Sequence, residues 1–217
     1  MGEIDLTNLS IFILNIPLGY LFFQAGKFVL HASAIEINQE GILFCGFSKS
    51  GKSSTINYML KYGNMISEDV CTIDFIDGKP FVAKSFPGIK VDKDYLNLHK
   101  SESISIIGNR DRAFQKIELD KFCVKETTEI KKIITLNWDK NESIKTLTGV
   151  DKFRSILPHL FKIPYDEKNN KIFHDNKIEE KQLEVFNYLS SVKILKYSRP
   201  KNNKTLFLEN LVSYILK

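Results

Sequence analysis

The stretch GFSKSGKS at residues 46–53 decides the fold, because it fits the pattern G-x-x-x-x-G-K-[ST] of a phosphate-binding loop. The apolar run at 41–45 predicts a buried strand that ends at this loop, and the pattern at 53–62 predicts the helix that follows it. Gly63 stands where that helix would be capped. Strand, glycine-containing loop and helix are the context that the motif requires. We therefore interpret the stretch as a phosphate loop rather than as an ordinary strand–turn–helix.

A loop of this kind binds anions through its backbone. Its N–H groups turn inward and form a concavity for phosphate, and the helix after it adds partial positive charge. The side chain of Lys52 would reach the β- and γ-phosphates of a bound nucleotide, and the Ser53 hydroxyl would ligate Mg²⁺. The residues predicted to bind the nucleotide are Gly46, Ser48, Lys49, Ser50, Gly51, Lys52, Ser53 and Ser54.

The bulk composition is that of an ordinary globular protein. The chain of 217 residues predicts one domain, with N-terminal strands at 1–26, a phosphate-loop core at 27–145 and a C-terminal helical part at 146–217. The net charge of +5 is spread along the chain, so it does not indicate nucleic-acid binding. The three cysteines are far apart in sequence, which favours free thiols and a cytoplasmic location.

The most apolar run, at 11–23, is too short to cross a membrane and is interrupted by polar and helix-breaking residues. Acidic residues precede it, where a secretory signal would have basic ones. We expect two short strands here, broken near Pro17, and no membrane partner.

Periodicity and turn signals predict an α/β fold with a mixed sheet, hairpins and C-terminal helices, since strands and helices do not alternate regularly. A strand at 27–37 would carry His31 on the face opposite Leu30 and Ala32, and pairing with 41–45 would bring His31 to the mouth of the loop. The other predicted elements are a turn at 38–41, a hairpin at Asp77-Gly78 with a return strand at 79–83, a short helix at 94–99, a mobile loop around 108–112, strands at 114–119, 131–137 and 192–197, a helix within 143–161, a polar surface segment at 164–177, and helices at 178–190 and 205–216.

Three features of the chain occur together in one known family. His31 lies in a predicted strand fifteen positions before Gly46, the loop at 46–53 precedes a helix, and the acidic pair Glu68-Asp69 follows. On these features the chain resembles the HPr kinase/phosphorylase-like family, which commonly has two aspartates at the acidic pair. The resemblance covers roughly residues 25–165, with weaker similarities at Phe86-Pro87-Gly88, Gln115-Lys116 and 157–161.

The resemblance implies a kinase that uses ATP and Mg²⁺ and moves the γ-phosphoryl group to a serine hydroxyl. Asp69 or its neighbour Glu68 would accept the serine proton, and which of them is the base stays open. His31 would lie beside that carboxylate and orient it. Ser53, Glu68 and Asp69 would surround the metal.

Each of these residues also has an ordinary structural alternative. His31 could be a histidine on a sheet face, and Glu68-Asp69 could be a solvated turn. Arg110, Arg112 and Lys116 are predicted to hold substrate or phosphate, and the alternative is a loop tip and a surface lysine.

Three departures from the family pattern bear on the substrate. Lys49 stands where many relatives have glycine, Glu68 replaces an aspartate, and we expect no separate N-terminal domain like that of full-length HPr kinases. Short relatives occur beside peptide-maturation systems, including lasso-peptide ones, and phosphorylate the C-terminal serine of a precursor peptide. A serine-containing precursor peptide is therefore the expected partner, with a homo-oligomer possible by the same analogy. The alternatives are a nucleotide-binding regulatory module and a kinase of a free hydroxyl compound such as serine.

Overall fold

The structure is a computed structural model, and it describes residues 16–92, 103–106, 112–161, 187–189, 191–201 and 204–216, with the single positions 9, 13, 14 and 180. The predicted helix at 94–99, the polar segment at 164–177 and most of the predicted helix at 178–190 lie outside the described residues. The helices are α1 (Ile16–Gln24), α2 (Lys52–Met59), α3 (Gly149–Ile156) and α4 (Lys204–Ile215), with 3₁₀ turns at Leu119–Lys121 and Leu157–His159.

The strands form two sheets. In chain order they are β1 (Phe28–Leu30), β2 (Ala32–Ile37), β3 (Glu40–Cys45), β4 (Asn64–Ser67), β5 (Cys71–Ile76), β6 (Lys79–Ala83), β7 (Gly88–Asp92), β8 (Ser103–Ile106), β9 (Arg112–Lys116), β10 (Thr127–Trp138), β11 (Ser143–Thr146) and β12 (Lys193–Arg199). The main sheet has the order β1-β5-β6-β10-β3-β2-β4, and β12 and β11 extend it beside β10. A smaller antiparallel sheet has the order β7-β9-β8.

The main sheet is mixed, as the sequence predicts. β10 runs parallel to β3 on one side and to β12 on the other, while the remaining described pairs are antiparallel. The carboxyl ends of β3, β10 and β12 therefore lie at the same edge of the sheet. Since β4 is antiparallel to β2, and β2 is antiparallel to β3, the carboxyl end of β4 lies there too. We call this the loop edge.

Two apolar layers cover the faces of the main sheet. Successive residues of β3 alternate between them, with Leu43 in one cluster and Ile42 and Phe44 in the other. Helices α2 and α4 pack on the second face, and α3 packs on the first. All three cysteines are buried free thiols, as expected, and they lie at Cys45, Cys71 and Cys123.

The hairpin before the phosphate loop has the predicted register. Asn38 and Gln39 form its two-residue turn with positive φ, and Ala32 pairs with Cys45 at the other end. The single strand predicted at 27–37 is wrong in one respect, because it breaks at His31. β1 pairs with β5, whereas β2 pairs with β3 and β4, so the chain changes partners at this residue.

The two strands predicted at 11–23 are wrong over the described part, where the chain forms α1. Pro17 is the second helical residue, and proline is compatible with the first turn because no intrahelical N–H donor is needed there. The helix buries Phe23 against Val29 and Phe161. Among the described residues, no helix has the length and apolar character needed to cross a membrane.

Other predicted boundaries shift. The strand predicted at 114–119 ends at Lys116 and gives way to a 3₁₀ turn, and β10 begins four residues before the predicted start at 131. The helix predicted within 143–161 ends at Ile156, and its residue Val150 is 57% exposed rather than part of the apolar face. Helix α4 and β12 agree with the prediction within two residues.

Gly63 does not cap α2, which ends four residues earlier at Met59. A Cβ atom at position 63 would lie 2.1 Å from the Glu36 carbonyl oxygen and 2.7 Å from Ile37 Cγ1. The glycine is needed because the chain entering β4 passes this close to the backbone of β2.

Replacing Gly63 by alanine should therefore destabilise the protein by about 1–3 kcal/mol, the usual cost of inserting a group into a packed site. Urea unfolding followed by circular dichroism measures this loss. Gly149→Ala makes the same chemical change where a Cβ atom meets nothing within 4 Å, and should cost less because only its φ of 52° is unfavourable. Equal losses in both variants would contradict the steric explanation.

Candidate active site

The loop edge gathers the residues that the sequence singles out. The phosphate loop follows β3, and His31 lies immediately before β2, beside the end of β3. Glu68 and Asp69 follow β4, whose residue Ser67 pairs with Ala34 of β2. Because these strands are neighbours, the imidazole and the acidic pair lie on one flank of the loop.

The phosphate loop has the donors that a phosphate group requires. The ammonium group of Lys52 is buried and donates to the Gly46 carbonyl at 2.8 Å. The hydroxyl of Ser50 is also buried and has no hydrogen-bond partner among the described residues. Gly51 adopts a φ of 93°, which turns the chain into α2 and which a residue with a side chain would rarely adopt. A lysine folded onto the loop and an orphaned hydroxyl fit a phosphate cradle.

Lys49 takes the backbone conformation for which glycine is favoured. Its φ is 65°, in the left-handed region. The Trp138 indole Nε1–H donates to the Lys49 carbonyl at 3.2 Å and so supports this turn from a neighbouring strand. Of the other predicted nucleotide ligands, Ser48 is exposed and Ser54 is partly exposed in the first turn of α2.

Glu68 contacts the loop directly. The Ser53 hydroxyl donates to Glu68 Oε1 at 2.6 Å, and the glutamate is only 3% exposed. Burial raises the pKa of Glu68 to about 8, with the Asp69 charge adding to the rise and the Ser53 hydrogen bond opposing it. This carboxyl group is therefore protonated more readily than an ordinary glutamate.

The pKa of Asp69 is shifted in the opposite direction. Burial by itself would raise its pKa, but the ion pair with Lys90 and the nearby His31 and Lys52 lower it below the ordinary value. The Lys90 ammonium donates to Asp69 Oδ2, and both side chains are mostly buried. The Asp69 backbone has a φ of 65°, so its carboxylate is held by an unusual turn. The acidic pair thus contains one readily protonated and one firmly ionised carboxyl group.

His31 lies beside Asp69 as the resemblance implies. Its Nδ1 is 3.0 Å from the Asp69 carbonyl oxygen and 3.9 Å from the Asp69 carboxylate. Since a carbonyl only accepts, Nδ1 carries the proton in this hydrogen bond. Burial, followed by the positive charge of Lys52, lowers the pKa of His31, which favours the neutral ring.

Lys90 lies on this flank of the loop and was not identified by the sequence analysis. It comes from β7 of the smaller sheet, and the alternation of that strand gives no signal that distinguishes Lys90 from a surface lysine. Only the position of β7 beside α2 and the acidic pair brings it to the site.

The oxygen ligands of the site suit a magnesium ion accompanied by phosphates. Among the described residues, no group of three or more His, Cys, Asp or Glu side chains could hold a metal ion. Ser53 Oγ and Glu68 Oε1 are in contact, whereas the Asp69 carboxylate is engaged by Lys90. Mg²⁺ commonly takes one or two carboxylates together with substrate phosphates and water, so the donors present fit this ion.

The predicted substrate residues are less well defined. Arg110 lies outside the described residues. Arg112 begins β9 opposite Asp92, and Lys116 is exposed at the other end of β9 opposite Gly88. Their roles stay predictions.

Comparison with solved structures finds proteins of similar fold. No family model matches the chain, and no curated protein matches it. The solved structure of the Hpr(Ser) kinase/phosphatase from Coxiella burnetii is similar over 87% of this chain and 95% of its own, with 14% sequence identity and a TM-score of 0.46.

His159, in the 3₁₀ turn after α3, supports the flank of the loop on which His31 lies. Its backbone carbonyl accepts a hydrogen bond of 2.7 Å from the backbone N–H of His31, and its ring packs edge-on against Phe47 with centroids 5.2 Å apart. Burial, then the positive charges of Lys52 and His31, lower the pKa of His159 to about 4.

This lowered pKa predicts a loss of stability in mild acid. The unfolded chain binds a proton at this ring below its ordinary pKa near 6.5, while the folded chain does so only near 4, so stability falls as the pH falls through that window. The loss should reach about 3 kcal/mol at most. Urea unfolding at pH 7 and pH 5 measures the part of this loss that occurs between the two values, about 2 kcal/mol, and His159→Gln should lose less stability there than the parent. Equal losses in parent and variant would show that His159 is not responsible.

Proposed function

We propose that this protein is a kinase that transfers the γ-phosphoryl group of ATP to a serine hydroxyl of a peptide or protein. The observation that carries the proposal is the hydrogen bond from Ser53 to Glu68, because it joins a phosphate loop to a buried acidic pair. A loop that only bound nucleotide would not need Asp69, Lys90 and His31 at its rim.

The proposed reaction needs little covalent help from the protein. The serine oxygen attacks the γ-phosphorus, the bond from that phosphorus to the β–γ bridging oxygen breaks, and ADP leaves. Asp69 orients the serine hydroxyl and accepts its proton as the new bond forms. Lys52 withdraws from the Gly46 carbonyl to the phosphates and balances their charge. Mg²⁺, when bound, supplies further neutralisation of the phosphate oxygens.

Glu68 and Asp69 have different roles in the proposed reaction. Glu68 contacts the hydroxyl that would ligate the metal, so we assign it to the metal side. Asp69 stays ionised because of Lys90, so it is available as an acceptor at neutral pH. His31 holds the Asp69 backbone through its carbonyl and so fixes the turn that presents the carboxylate. His31 is thus a positioning residue.

The acceptor that we propose is a serine in a ribosomal precursor peptide, of the kind tailored beside lasso-peptide systems. The support for this choice is the sequence resemblance, since no contact among the described residues distinguishes such a peptide from another serine substrate. Labelled ATP offered with a serine-containing precursor peptide, with free serine, and with no acceptor tests the choice. Label that moves only to free serine would favour a small-molecule kinase. ATP binding with no transfer to any acceptor would favour a regulatory module.

Asp69→Asn should lower the rate of phosphoryl transfer by about 10²–10⁴-fold, because the hydroxyl loses its proton acceptor. ATP affinity should stay near that of the parent, since the loop is unchanged. Transfer of labelled phosphate and calorimetric ATP binding measure the two quantities. The matched control is Asp74→Asn, which removes a partly exposed aspartate of β5 that pairs with Lys27 at 2.7 Å. Full activity in the Asp69→Asn variant would show that Asp69 is not the base.

Lys90→Gln should move the acidic limb of the pH–rate profile to higher pH. Lys90 lowers the pKa of Asp69, so its removal raises that pKa, and the base becomes protonated earlier as the pH falls. The control is Lys84→Gln. Lys84 Nζ pairs with Glu126 at 2.7 Å, and this ion pair lies away from the phosphate loop. A lowered rate with an unmoved limb would mean that Lys90 acts by some means other than the Asp69 charge.

A further inference from the structure

The other flank of the phosphate loop is formed by the ends of two strands that the proposed reaction does not use. Trp138 ends β10 and Arg199 ends β12, and the two residues are register partners. Both strands run parallel to β3, so both residues lie at the loop edge. With neighbouring strands about 4.8 Å apart, Arg199 starts about 10 Å from the strand that leads into the loop.

Arg199 reaches back across this distance to the phosphate loop. Its Nη2 donates to the Ser50 carbonyl at 3.0 Å, beside the turn at Gly51. Its guanidinium carbon lies 4.8 Å from the centre of the Trp138 ring and 5.5 Å from that of Tyr197. The Trp138 indole remains partly exposed. Trp138 and Arg199 thus form a cation–π pair fixed to the loop by two hydrogen bonds, one of them the indole contact to Lys49 already described.

The guanidinium group of Arg199 has unused donors. The residue is 3% exposed, and its Nε and Nη1 have no hydrogen-bond partner among the described residues. The carboxylate of Glu142, which accepts from Tyr197 at 2.6 Å and from Asn210 at 2.8 Å, is not a hydrogen-bond partner of either nitrogen. A buried donor without an acceptor is costly, more so on a charged group, so the N–H groups of these two nitrogens point to an acceptor that a ligand supplies.

The direction of a bound nucleotide follows from the opposite flank. Ser53 and Glu68, which we assign to the metal side, are joined by a hydrogen bond on the side of β2 and β4, so the terminal phosphate would lie on that side. A nucleotide that lies across the loop must then extend its nucleoside towards β10 and β12. In open sheets, ligands lie outside the carboxyl ends of parallel strands, which are the strands on this side.

We propose that Trp138 and Arg199 form the subsite for the nucleoside half of the nucleotide. The partly exposed indole stacks on the base or ribose, and the unpaired donors of Arg199 meet an oxygen of the ribose or of the first phosphate. The inference rests on the proposed function in taking the ligand of the loop to be a nucleotide whose terminal phosphate lies beside Ser53 and Glu68.

Trp138 is the single tryptophan of the chain, so its fluorescence reports directly on this subsite. Titration with Mg²⁺ and either ATP or ADP should change the emission on binding. Inorganic tripolyphosphate, which has the phosphates without the nucleoside, should bind the loop with little change in emission. Equal changes with ATP and tripolyphosphate would overturn the proposal, because the signal would then come from the loop alone.

Three variants separate stacking from support of the loop. Trp138→Ala should weaken ATP binding by about tenfold, the size expected for one base stacked on an aromatic ring, and should weaken tripolyphosphate binding much less in calorimetry, through the lost hydrogen bond to Lys49 alone. Trp138→Phe keeps a ring but loses the hydrogen bond to Lys49, and should retain most of the ATP affinity. Arg199→Lys keeps the charge but loses the planar donors, and should also weaken ATP more than tripolyphosphate. Tyr62→Ala removes an exposed ring at the far end of α2 and is the control.

The outcomes distinguish this inference from the proposed kinase activity. If Trp138→Ala weakens the binding of ATP and of tripolyphosphate equally, or weakens the binding of neither, the subsite does not exist as proposed. The proposed phosphoryl transfer can still be correct in that case. If the parent discriminates ATP from tripolyphosphate as expected but transfers phosphate to no acceptor, the subsite stands and the kinase proposal falls. A parent that binds neither ligand overturns both. Thermal unfolding of each variant establishes that affinities are compared between folded proteins.

Discussion

The burial of charge at the loop edge is the constraint on which the site depends. Lys52, Glu68, Asp69 and Lys90 are all largely removed from water there, and transferring an ion out of water costs several kcal/mol unless a partner compensates it. The partners are a loop carbonyl for Lys52, a hydroxyl for Glu68 and an ion pair for Asp69. The raised pKa of Glu68 shows that burial is incompletely compensated at that carboxyl group. A phosphate group and a divalent cation entering together would supply charges of both signs to this arrangement.

Backbone strain is concentrated at the same place. Five described residues other than glycine have positive φ, and Asn38, Gln39 and Asp77 among them lie in hairpin turns, where such values are ordinary. The other two, Lys49 and Asp69, lie on the phosphate loop and on the acidic step. Each such residue costs of order 1–3 kcal/mol and persists only where its surroundings fix it. Trp138 holds the first through its carbonyl, and His31 holds the second in the same way.

The sequence was sufficient for those parts of the fold and site that depend on local pattern. The hairpin between β2 and β3 follows from alternation and a turn, and its register carries His31 to the loop. The helix α1 was missed for two reasons. An apolar run of this length does not distinguish a helix from strands, and Pro17 was interpreted as a break between two strands, whereas it lies in the first turn of the helix. Lys90 was missed for a different reason. It acts through an ion pair across the main and smaller sheets, and no local pattern encodes that contact.

Arg199 was missed for the same reason as Lys90, and its position changes how the C-terminal part of the chain is understood. From sequence, the elements after residue 146 formed a helical part following the core. In the fold, β12 lies inside the main sheet beside β10, and α4 packs in the same apolar layer as α2. The last strand therefore completes the loop edge: the phosphate loop contacts Glu68 on one flank through a hydroxyl and Arg199 on the other through a carbonyl. Because these contacts span 15 and 149 residues of sequence, the loop motif acquires its surroundings only when the whole sheet has formed. A phosphate loop excised with its strand and helix would keep the pattern and lose both flanks.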